Sequence, residues 1–347
     1  MEKIFLGKTD MEVSTICLGT MTFGSQTDEK DSHSQLDIAI SNGVNFIDTA
    51  TMYPVNPISK ETIGRTEEII GSWLNKKKQR QNCVLATKMM GEGSQGAIKS
   101  DPISSKSLRL AVEESLRRLK TDYIDLFQLH WPNRGSYMFR KNWNYDPSSQ
   151  SKDETISHME DTLGAVQELI SAGKIRQFGL SNESAWGSLM WLQTAERMKL
   201  PRVQTIQNEY SLLCRLYDTD LAELSINEDV TLMGFSPLAA GYLTGKYQDG
   251  VIPKRSRMSI NDSMGGRATP RVLPAIQAYL EIAEKYNLNL IHMSLAWFKS
   301  KPFKAIPIVG ATTKEQLEYN IENNALVLNR EILDEIDAVH KMHPMPY

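Results

Sequence analysis

Residues 45–53 read NFIDTATMY, an apolar run that ends in an acid and is followed five positions later by a tyrosine. The run from Val44 to Ile47 predicts the end of a buried strand, so Asp48 would lie where the strand emerges and Tyr53 in the loop beyond it. Taken alone, an aspartate at this place is more often a turn former or a helix cap than a catalytic group. The rest of the sequence has to decide between these interpretations.

Short apolar runs alternate with amphipathic segments of helical period through most of the chain. The predicted strands are Ile16–Leu18, Val44–Asp48, Cys83–Lys88, Tyr123–His130, Ile175–Leu180, Thr205–Asn208, Thr231–Ser236 and Ala305–Val309. The predicted helices are Asp31–Ser41, Thr66–Lys77, Ser105–Leu119, Asp153–Ala172, Ala185–Lys199, Asp218–Ile226, Val272–Tyr286, His292–Ser300, Lys314–Asn323 and Arg330–His340. Because parallel neighbours need a crossover connection, this alternation predicts a parallel sheet.

Eight such units predict closure of the sheet, so we expect an α/β fold, a (β/α)8 TIM barrel that forms a single domain over residues 1–347. Ile4–Leu6 and Glu12–Ser14 flank a polar turn and predict an N-terminal β-hairpin. An open doubly wound sheet is the alternative. It would need a G-x-G-x-x-G loop after its first strand, and Gly19–Gly24 reads GTMTFG instead.

Two long loops follow the predicted strands four and seven. Residues 131–152 are polar with several aromatic side chains, and residues 239–270 are rich in glycine, lysine and arginine. In a barrel both loops would rise from the C-terminal rim, where active sites are built. We expect the first to be a lid or pocket wall and the second to hold an anion.

Composition excludes several classes of protein. A net charge of −3 gives no basic surface for nucleic acid, and no stretch reaches 18 consecutive apolar residues, so we expect no nucleic-acid partner and no membrane span. Three scattered cysteines, Cys17, Cys83 and Cys214, fit neither a disulfide framework nor a metal site. They indicate a cytoplasmic protein without metal, in which Cys214, in a loop, is the one candidate for a reactive thiol.

Three titratable residues stand at the ends of consecutive predicted strands. Asp48 ends the second strand, Lys88 the third and His130 the fourth, and Tyr53 lies in the loop after the second. A buried aspartate keeps a neighbouring lysine charged, and an ammonium beside a phenol favours the phenolate, so we expect the pKa of Tyr53 to be lowered. Tyr53 would then act as a general acid, with neutral His130 holding a carbonyl oxygen.

Each of these residues also has a simpler interpretation. Lys88 could be the first solvated residue after an apolar strand, and His130 could be a core histidine packed under Trp131. A different barrel enzyme, a lyase or hydrolase, could use the Lys88 amine to form a Schiff base. Asp48, Lys88 and His130 nevertheless all fall at one rim of the predicted barrel, with Tyr53 beside them, and this coincidence favours a joint catalytic role.

Ordered motifs extend over nearly the whole chain. They are LGTMTFG (18–24), NFIDTATMY (45–53), ATK (86–88), YIDLFQLHW (123–131), GKIRQFGLSN (173–182), QNEYSLL (207–213), FSPLAAGYLTGKY (235–247) and IPIVGATTKEQLEYNI (306–321). In this combination the chain resembles the aldo-keto reductase superfamily, and more distantly the β subunits of voltage-gated potassium channels that belong to it. The resemblance implies a barrel, NADPH as cofactor and no metal.

The resemblance also implies roles for individual residues. Asp48, Tyr53, Lys88 and His130 match the catalytic tetrad, and Tyr210 matches the aromatic that stacks on the nicotinamide. The other implied cofactor contacts are Thr20, Met21, Asp48, Ser181, Asn182 and Gln207 near the nicotinamide, Ser236, Pro237, Leu238, Gly241 and Lys246 at the pyrophosphate, Ser256 and Arg257 at the 2′-phosphate, and Gly310, Thr312, Gln316 and Asn320 at the adenosine.

The chain departs from the family pattern near the adenosine end. Tyr319 stands where many members carry a glutamate, and Gly310 and Gln316 stand where several relatives carry a lysine or arginine. A preference for NADPH over NADH therefore depends mainly on Lys246 and Arg257.

The function implied is NADPH-dependent reduction of an aldehyde or ketone, a small-molecule carbonyl substrate, to an alcohol. The alternative is a nucleotide-sensing interaction protein, similar to channel β subunits, that binds the cofactor tightly and reacts slowly. The predicted substrate pocket is apolar and suits bulky or aromatic carbonyl compounds; its residues are Phe23, Met52, Met89, Trp131 and Trp143, with Met21 beside them. The sequence leaves the oligomeric state open.

Overall fold

The computed structural model describes residues 1–95 and 98–347. Its strands are β1 (Lys3–Phe5), β2 (Glu12–Ser14), β3 (Cys17–Gly19), β4 (Phe46–Asp48), β5 (Val84–Met89), β6 (Gly93–Gln95), β7 (Ile98–Ser100), β8 (Ile124–Leu129), β9 (Ile175–Ser181), β10 (Val203–Glu209), β11 (Thr231–Phe235) and β12 (Ala305–Gly310). Its helices are α1 (Glu29–Ser41), α2 (Arg65–Lys77), α3 (Ser105–Leu119), α4 (Lys152–Ser171), α5 (Ala185–Met198), α6 (Asp220–Glu228), α7 (Arg257–Ile260), α8 (Val272–Lys285), α9 (Leu290–Ala296), α10 (Lys314–Glu322) and α11 (Arg330–Met342).

Eight strands close into a parallel barrel in the order β3-β4-β5-β8-β9-β10-β11-β12. The last strand pairs with the first, through Ile308 opposite Cys17 and Gly310 opposite Gly19. The predicted (β/α)8 barrel is thereby confirmed, and the open doubly wound sheet is excluded. The two predicted long loops follow β8 and β11, and the second contains only short helical turns and α7.

Alternate residues of each barrel strand face opposite sides. In β5, Val84 and Ala86 belong to the cluster inside the barrel, whereas Leu85 and Met89 belong to the larger cluster between strands and helices. Lys88 continues the inward series and is fully buried. Burial on both faces is why this strand reads as a continuous apolar run ending in a single lysine.

The N-terminal hairpin closes one end of the barrel. Strands β1 and β2 pair antiparallel, as predicted, and Leu6, Met11 and Val13 pack into the cluster inside the barrel. The Gly7 amide donates to Thr231 Oγ1 over 2.8 Å at the beginning of β11. The hairpin therefore covers the N-terminal ends of the strands and leaves the C-terminal rim open to ligands.

A second hairpin was not predicted. Strands β6 and β7 pair antiparallel after β5, with Gly93 opposite Ser100. The segment is short and polar and has no alternating pattern, so the sequence carries no strand signal there.

The helix predicted at His292–Ser300 has other bounds in the structure. Asn289 caps a helix that begins at Leu290, and this helix tightens into a 3₁₀ turn over Trp297–Ser300. Among the described residues, no helix is long and apolar enough to cross a membrane.

Two helical glycines differ in the space around them, so we expect their substitution by alanine to have opposite effects on stability. A Cβ added at Gly71 in α2 would lie 2.3 Å from the carbonyl oxygen of Arg118 in α3, whereas a Cβ at Gly164 in α4 would meet no atom within 4 Å. We expect Gly71→Ala to lower the free energy of unfolding by about 1–3 kcal/mol through overpacking. Gly164→Ala should raise it by about 0.5–1 kcal/mol through helix propensity. Urea denaturation of both variants checks the helix contact, and equal effects would contradict it.

Candidate active site

Three of the residues singled out from the sequence meet at the C-terminal rim. Asp48 ends β4, Lys88 is the penultimate residue of β5, and His130 follows β8 directly. These strands are consecutive neighbours in the barrel, so their ends lie side by side. Tyr53 follows β4 in a tight loop, where its amide donates to the Ala50 carbonyl over 3.1 Å.

Asp48 and Lys88 form a buried ion pair. Lys88 Nζ donates to Asp48 Oδ2 over 2.7 Å and to the Thr49 carbonyl over 2.6 Å. The other carboxylate oxygen, Oδ1, accepts from Gln207 Nε2 at 2.8 Å and from Gln128 Nε2 at 3.3 Å. Both oxygens of the buried carboxylate thus have donors, as a buried charge requires.

The ion pair fixes the charge of the lysine. Burial acts to lower the pKa of Lys88, but the Asp48 carboxylate, together with Tyr53 and Cys17, outweighs it, and the pKa lies above its ordinary value. The amine therefore stays protonated and donates to two fixed acceptors. This disfavours a Schiff base, because the nucleophile would have to be the neutral amine.

Tyr53 lies beside this lysine, with Lys88 Nζ 4.9 Å from its ring centroid. Burial raises the pKa of Tyr53, Lys88 opposes that effect, and the net pKa is above its ordinary value. The lowering predicted from the sequence is therefore wrong in direction, because removal from water outweighs the nearby ammonium. The phenol is protonated at neutral pH and is a proton donor.

His130 is neutral, as predicted. Burial and the nearby Lys88 ammonium together hold the pKa of His130 well below its usual range. Its ring lies 5.8 Å from the Tyr53 ring in an edge arrangement and 5.0 Å from the ring of Trp131. A neutral imidazole beside a protonated phenol offers two donors to one oxygen atom.

Ser181, Asn182 and Gln207 form a second group at the ends of β9 and β10. Ser181 Oγ donates to the Gln207 carbonyl over 2.8 Å, and Asn182 Nδ2 donates to the His130 carbonyl over 2.9 Å. Asn182 Oδ1 is buried and has no partner among the described residues. A buried acceptor without a donor is costly, so this amide oxygen suits a ligand N–H.

Tyr210 does not lie where the sequence predicted. Its ring is fully buried outside the barrel, stacked on Trp297 at 4.9 Å, and its hydroxyl donates to Asp218. The half-buried aromatic at the barrel mouth is Phe235, the last residue of β11, which packs against the cluster inside the barrel. Its place two positions after the inward-facing Met233 was the sequence signal for this role.

The loop after β11 forms a cradle of unusual backbone. Ser236 has φ of 53°, and Gly241 has φ of 97°, a conformation that favours glycine. The amine of Lys246 covers Gly241, since a Cβ added there would lie 3.2 Å from Nζ. Pro237 and Leu238 continue the cradle, and Leu238 precedes its first helical turn.

Arg257 follows in the same loop, after the buried Ser256, whose side chain caps α7. Arg257 has no ion-pair partner among the described residues, and its Nε is buried without a hydrogen bond. Burial, and then the nearby Arg267, lowers its pKa to about 10. An uncompensated guanidinium of this kind is suited to an anion.

The predicted adenosine residues lie beyond β12. Thr312 donates to Gln316 Oε1 through its amide and its hydroxyl, each at 3.0 Å, and Asn320 is buried in α10. Gly310 ends β12. Thr20 and Met21 follow β3, the neighbour of β12. Thr20 donates to the Asp48 carbonyl over 2.8 Å, and half-buried Met21 accepts from the Val55 amide.

The predicted substrate pocket is only partly correct. Met52 and Trp131 lie in one apolar cluster beside Tyr53. Phe23 and Met89 pack instead in the shell between strands and helices, Met89 because it faces away from Lys88 on β5. Trp143 is 52% exposed and stacks on Arg271. Sequence reasoning missed the other members of the cluster, which are Ala50, Val55, Ile58, Met90, Ile98 and Phe139.

The structure does not support the prediction that Cys214 is a candidate reactive thiol. It is buried, and burial raises its pKa, so it is a core residue rather than a reactive thiol.

No three His, Cys, Asp or Glu side chains among the described residues come together in a way that could hold a metal ion. A cavity of about 390 Å³ lies behind β8 and β9, where it shares only Ser181 with the predicted site.

The closed barrel with a lysine–aspartate pair, a tyrosine and a histidine at its rim defines a class of oxidoreductases. Residues 15–341 match the model of the Aldo/keto reductase family, and the chain belongs to this family. It is 41% identical to "Protein tas" of Escherichia coli (strain K12) over 342 residues, 97% of each chain. It is 29% identical to "Uncharacterized oxidoreductase YrpG" of Bacillus subtilis (strain 168), over 96% of this chain and 94% of the relative.

A plant relative carries a different description. The chain is 30% identical to "Probable voltage-gated potassium channel subunit beta" of Arabidopsis thaliana, over 98% of this chain and 96% of the relative. The family resemblance inferred from the sequence motifs is thereby confirmed.

Proposed function

We propose that this protein is an NADPH-dependent oxidoreductase that reduces an aldehyde or ketone to an alcohol. The observation that carries the proposal is the convergence of protonated Tyr53, the buried Lys88–Asp48 pair and neutral His130 at one rim of the barrel. Family membership supports an oxidoreductase and leaves the substrate and the cofactor to this proposal.

The chemistry that bound NADPH would supply is a hydride for the carbonyl carbon, with NADP⁺ as the other product. Tyr53 gives its hydroxyl proton to the carbonyl oxygen, so the carbonyl gains one hydride and one proton and becomes an alcohol. Lys88 stabilises the phenolate that results, at 4.9 Å from the ring, until solvent returns the proton. Asp48 keeps Lys88 charged and in place through the 2.7 Å contact.

His130 has a different task in this proposal. Because its pKa is lowered by burial and by Lys88, it cannot compete with Tyr53 as an acid at neutral pH. It can donate one hydrogen bond to the carbonyl oxygen and so stabilise the negative charge that develops there. Trp131, which packs on His130, and Met52 exclude water from the surroundings of this oxygen.

The residues of this chain fit the cofactor that the family implies. Asn182 Oδ1 is a buried acceptor without a donor and would hold the carboxamide of the nicotinamide. Phe235 would offer its ring face at the barrel mouth. Lys246, beside the left-handed Gly241, and the unpaired Arg257 would hold the phosphates.

The cofactor assignment predicts a selective loss of affinity. Arg257→Met should raise the Kd for NADPH by about tenfold, since one charge-assisted contact to the extra phosphate is lost, and should leave the Kd for NADH within about twofold. Titration of cofactor fluorescence, or the shift of Tm with each nucleotide, measures both constants. The matched control is Arg255→Met, an exposed arginine two residues away. Equal losses for both nucleotides would contradict the assignment.

The proposed reaction is tested by NADPH oxidation with a panel of aromatic and aliphatic aldehydes and ketones. We expect turnover with at least one substrate. The proposal fails if the wild-type chain is no faster than Tyr53→Phe with every substrate. Tight retention of nucleotide through gel filtration, together with negligible turnover, would favour the alternative of a nucleotide-sensing interaction protein.

A further inference from the structure

Gln128 is a fully buried amide inside the barrel, next to the proposed tetrad. It lies on β8, two residues before His130. Leu126, two positions earlier, belongs to the cluster inside the barrel, so the side chain of Gln128 points inward as well. In the register of the sheet, Gln128 stands opposite Lys88 of β5. A polar group at this depth needs hydrogen-bond partners.

The partners of Gln128 are Asp48 and Gln207. Gln128 Nε2 donates to Asp48 Oδ1 over 3.3 Å, and Gln128 Oε1 accepts from Gln207 Nε2 at 3.4 Å. Gln207 Nε2 also donates to the same Asp48 oxygen, over 2.8 Å. We call these three side chains the polar triangle. Gln128 contacts both of the other members, so it joins β8 to β4 and to β10 inside the barrel.

The polar triangle occupies one oxygen of Asp48 and leaves the other to Lys88. A carboxylate only accepts hydrogen bonds, so the NH₂ groups of both glutamines face Oδ1. Lys88 Nζ donates to Oδ2 over 2.7 Å. Rotation of the carboxylate would break both bonds at Oδ1 and would move Oδ2 away from the ammonium. The two amides therefore fix the plane in which Asp48 meets Lys88.

The neighbouring strand leaves space for this amide. Gly179 of β9 stands opposite Gln128, and a Cβ added to it would lie 3.2 Å from Gln128 Cγ and 2.1 Å from Thr205 Oγ1. Gly179 does not have a positive φ, so its backbone does not require glycine. A glycine in a strand interior then marks a close approach of other atoms. The space at Gly179 is filled by the side chains of Gln128 and Thr205.

We infer that Gln128 is a positioning residue of the proposed reduction, which acts through Asp48 on Lys88. This inference rests on the proposed function and adds a residue to it. Gln128 holds the carboxylate that holds Lys88, and Lys88 Nζ lies 4.9 Å from the ring centroid of Tyr53. Because the amide brings no charge, it fixes the orientation of the ion pair without changing its electrical balance.

The first test replaces a buried glutamine by methionine, which is similar in size and has no amide. We expect Gln128→Met to lower kcat for aldehyde reduction by about tenfold and to change the KM of the aldehyde by less than about threefold. The matched control is Gln35→Met. Gln35 in α1 is also fully buried, but neither atom of its amide has a hydrogen-bond partner among the described residues, so the control should keep the wild-type kcat.

Gln128→Glu separates hydrogen bonding from packing. A protonated carboxyl group can donate to Asp48 and accept from Gln207 as the amide does, whereas an ionised one repels Asp48. Burial and the Asp48 charge raise the pKa of the introduced carboxyl group, and Lys88, opposite it on β5, opposes them in part. The kcat of this variant should therefore be near that of the wild type at about pH 6.5 and fall as the pH rises towards about 9.

Melting curves of the chain without nucleotide test the contact independently of turnover. Gln128→Met should lower the Tm by about 2–4 °C. In the background Asp48→Asn/Lys88→Met the same substitution should cost about half as much, because a neutral amide oxygen accepts a weaker hydrogen bond than a carboxylate. Equal losses in the two backgrounds would mean that Gln128 does not act through Asp48, and would overturn the inference.

The remaining outcomes separate this inference from the proposed function. If the wild-type chain reduces an aldehyde and Gln128→Met has the same kcat, the inference fails and the proposed reaction stands. It also fails if Gln128→Glu is as slow as Gln128→Met at every pH, or, where the methionine variant does not fold, if Gln128→Glu shows the level pH profile of the wild type. If the wild-type chain reduces no carbonyl compound, the proposed function fails and this inference fails with it.

Discussion

A Tyr53→Phe variant should reduce aldehydes about 10²- to 10⁴-fold more slowly than the wild-type chain, because it removes the proposed proton donor and nothing else from the rim. The ring remains, so its packing near Lys88 and His130 should be kept. We expect the Kd for NADPH to change by less than about twofold. Single-turnover kinetics with saturating cofactor would measure the loss in the chemical step.

The pH profile of the wild-type chain provides a second check on Tyr53. An acid with a raised pKa is protonated at every pH below that value, and a base with a lowered pKa, here His130, is neutral at every pH above its own. The reduction rate should therefore stay level between about pH 6.5 and 10. A rate that falls with an apparent pKa near neutrality would contradict the assignment of Tyr53 as the acid.

A Lys88→Met variant should lose about 3–5 kcal/mol of unfolding free energy as well as activity. The substitution leaves the Asp48 carboxylate buried without its counter-charge, and removal of one partner of a buried pair has a cost of this size. Gln207 and Gln128 still donate to Asp48, so part of the site should persist. Denaturant unfolding, followed by circular dichroism, measures the loss.

The double variant Asp48→Asn/Lys88→Met separates stability from chemistry. It removes both charges, so most of the lost free energy of unfolding should return, while activity should stay at the level of the single variant. Recovery of activity with stability would mean that Lys88 only holds the fold. A single variant as stable as the wild type would contradict the burial of the pair.

The architecture could be predicted from the sequence because parallel strands buried on both faces leave a strong pattern. β5 is an apolar run closed by Lys88, and every barrel strand was predicted near its observed place. The rim position of Asp48, Lys88 and His130 then followed from the fold. The short hairpin of β6 and β7 had no such pattern, and its pairing arises from tertiary context alone.

Side-chain direction was harder to predict than strand position. The sequence motifs predict Tyr210 as the aromatic of the site, but its ring lies outside the barrel, and Phe235 lies at the mouth. Strict alternation along β5 and β11 would have assigned both Met89 and Phe235 correctly.

Whether the pKa of Tyr53 is raised or lowered depends on the balance between burial and the neighbouring charge, and the sequence does not determine that balance. The neighbouring Lys88 lowers the pKa, and the sequence indicates that it is near. The depth of burial raises the pKa and depends on packing by residues distant in the chain. Only the three-dimensional structure decides which effect is larger.

The hairpin that closes the N-terminal end of the barrel also constrains the kinetics. Leu6, Met11 and Val13 fill that end, so under the proposed function the nucleotide and the carbonyl compound would have to enter and leave through the same mouth. A carbonyl compound above the nicotinamide would block its exchange, so nucleotide should bind first and leave last. At saturating carbonyl compound, the steady-state rate would then be limited by dissociation of the oxidised nucleotide rather than by hydride transfer.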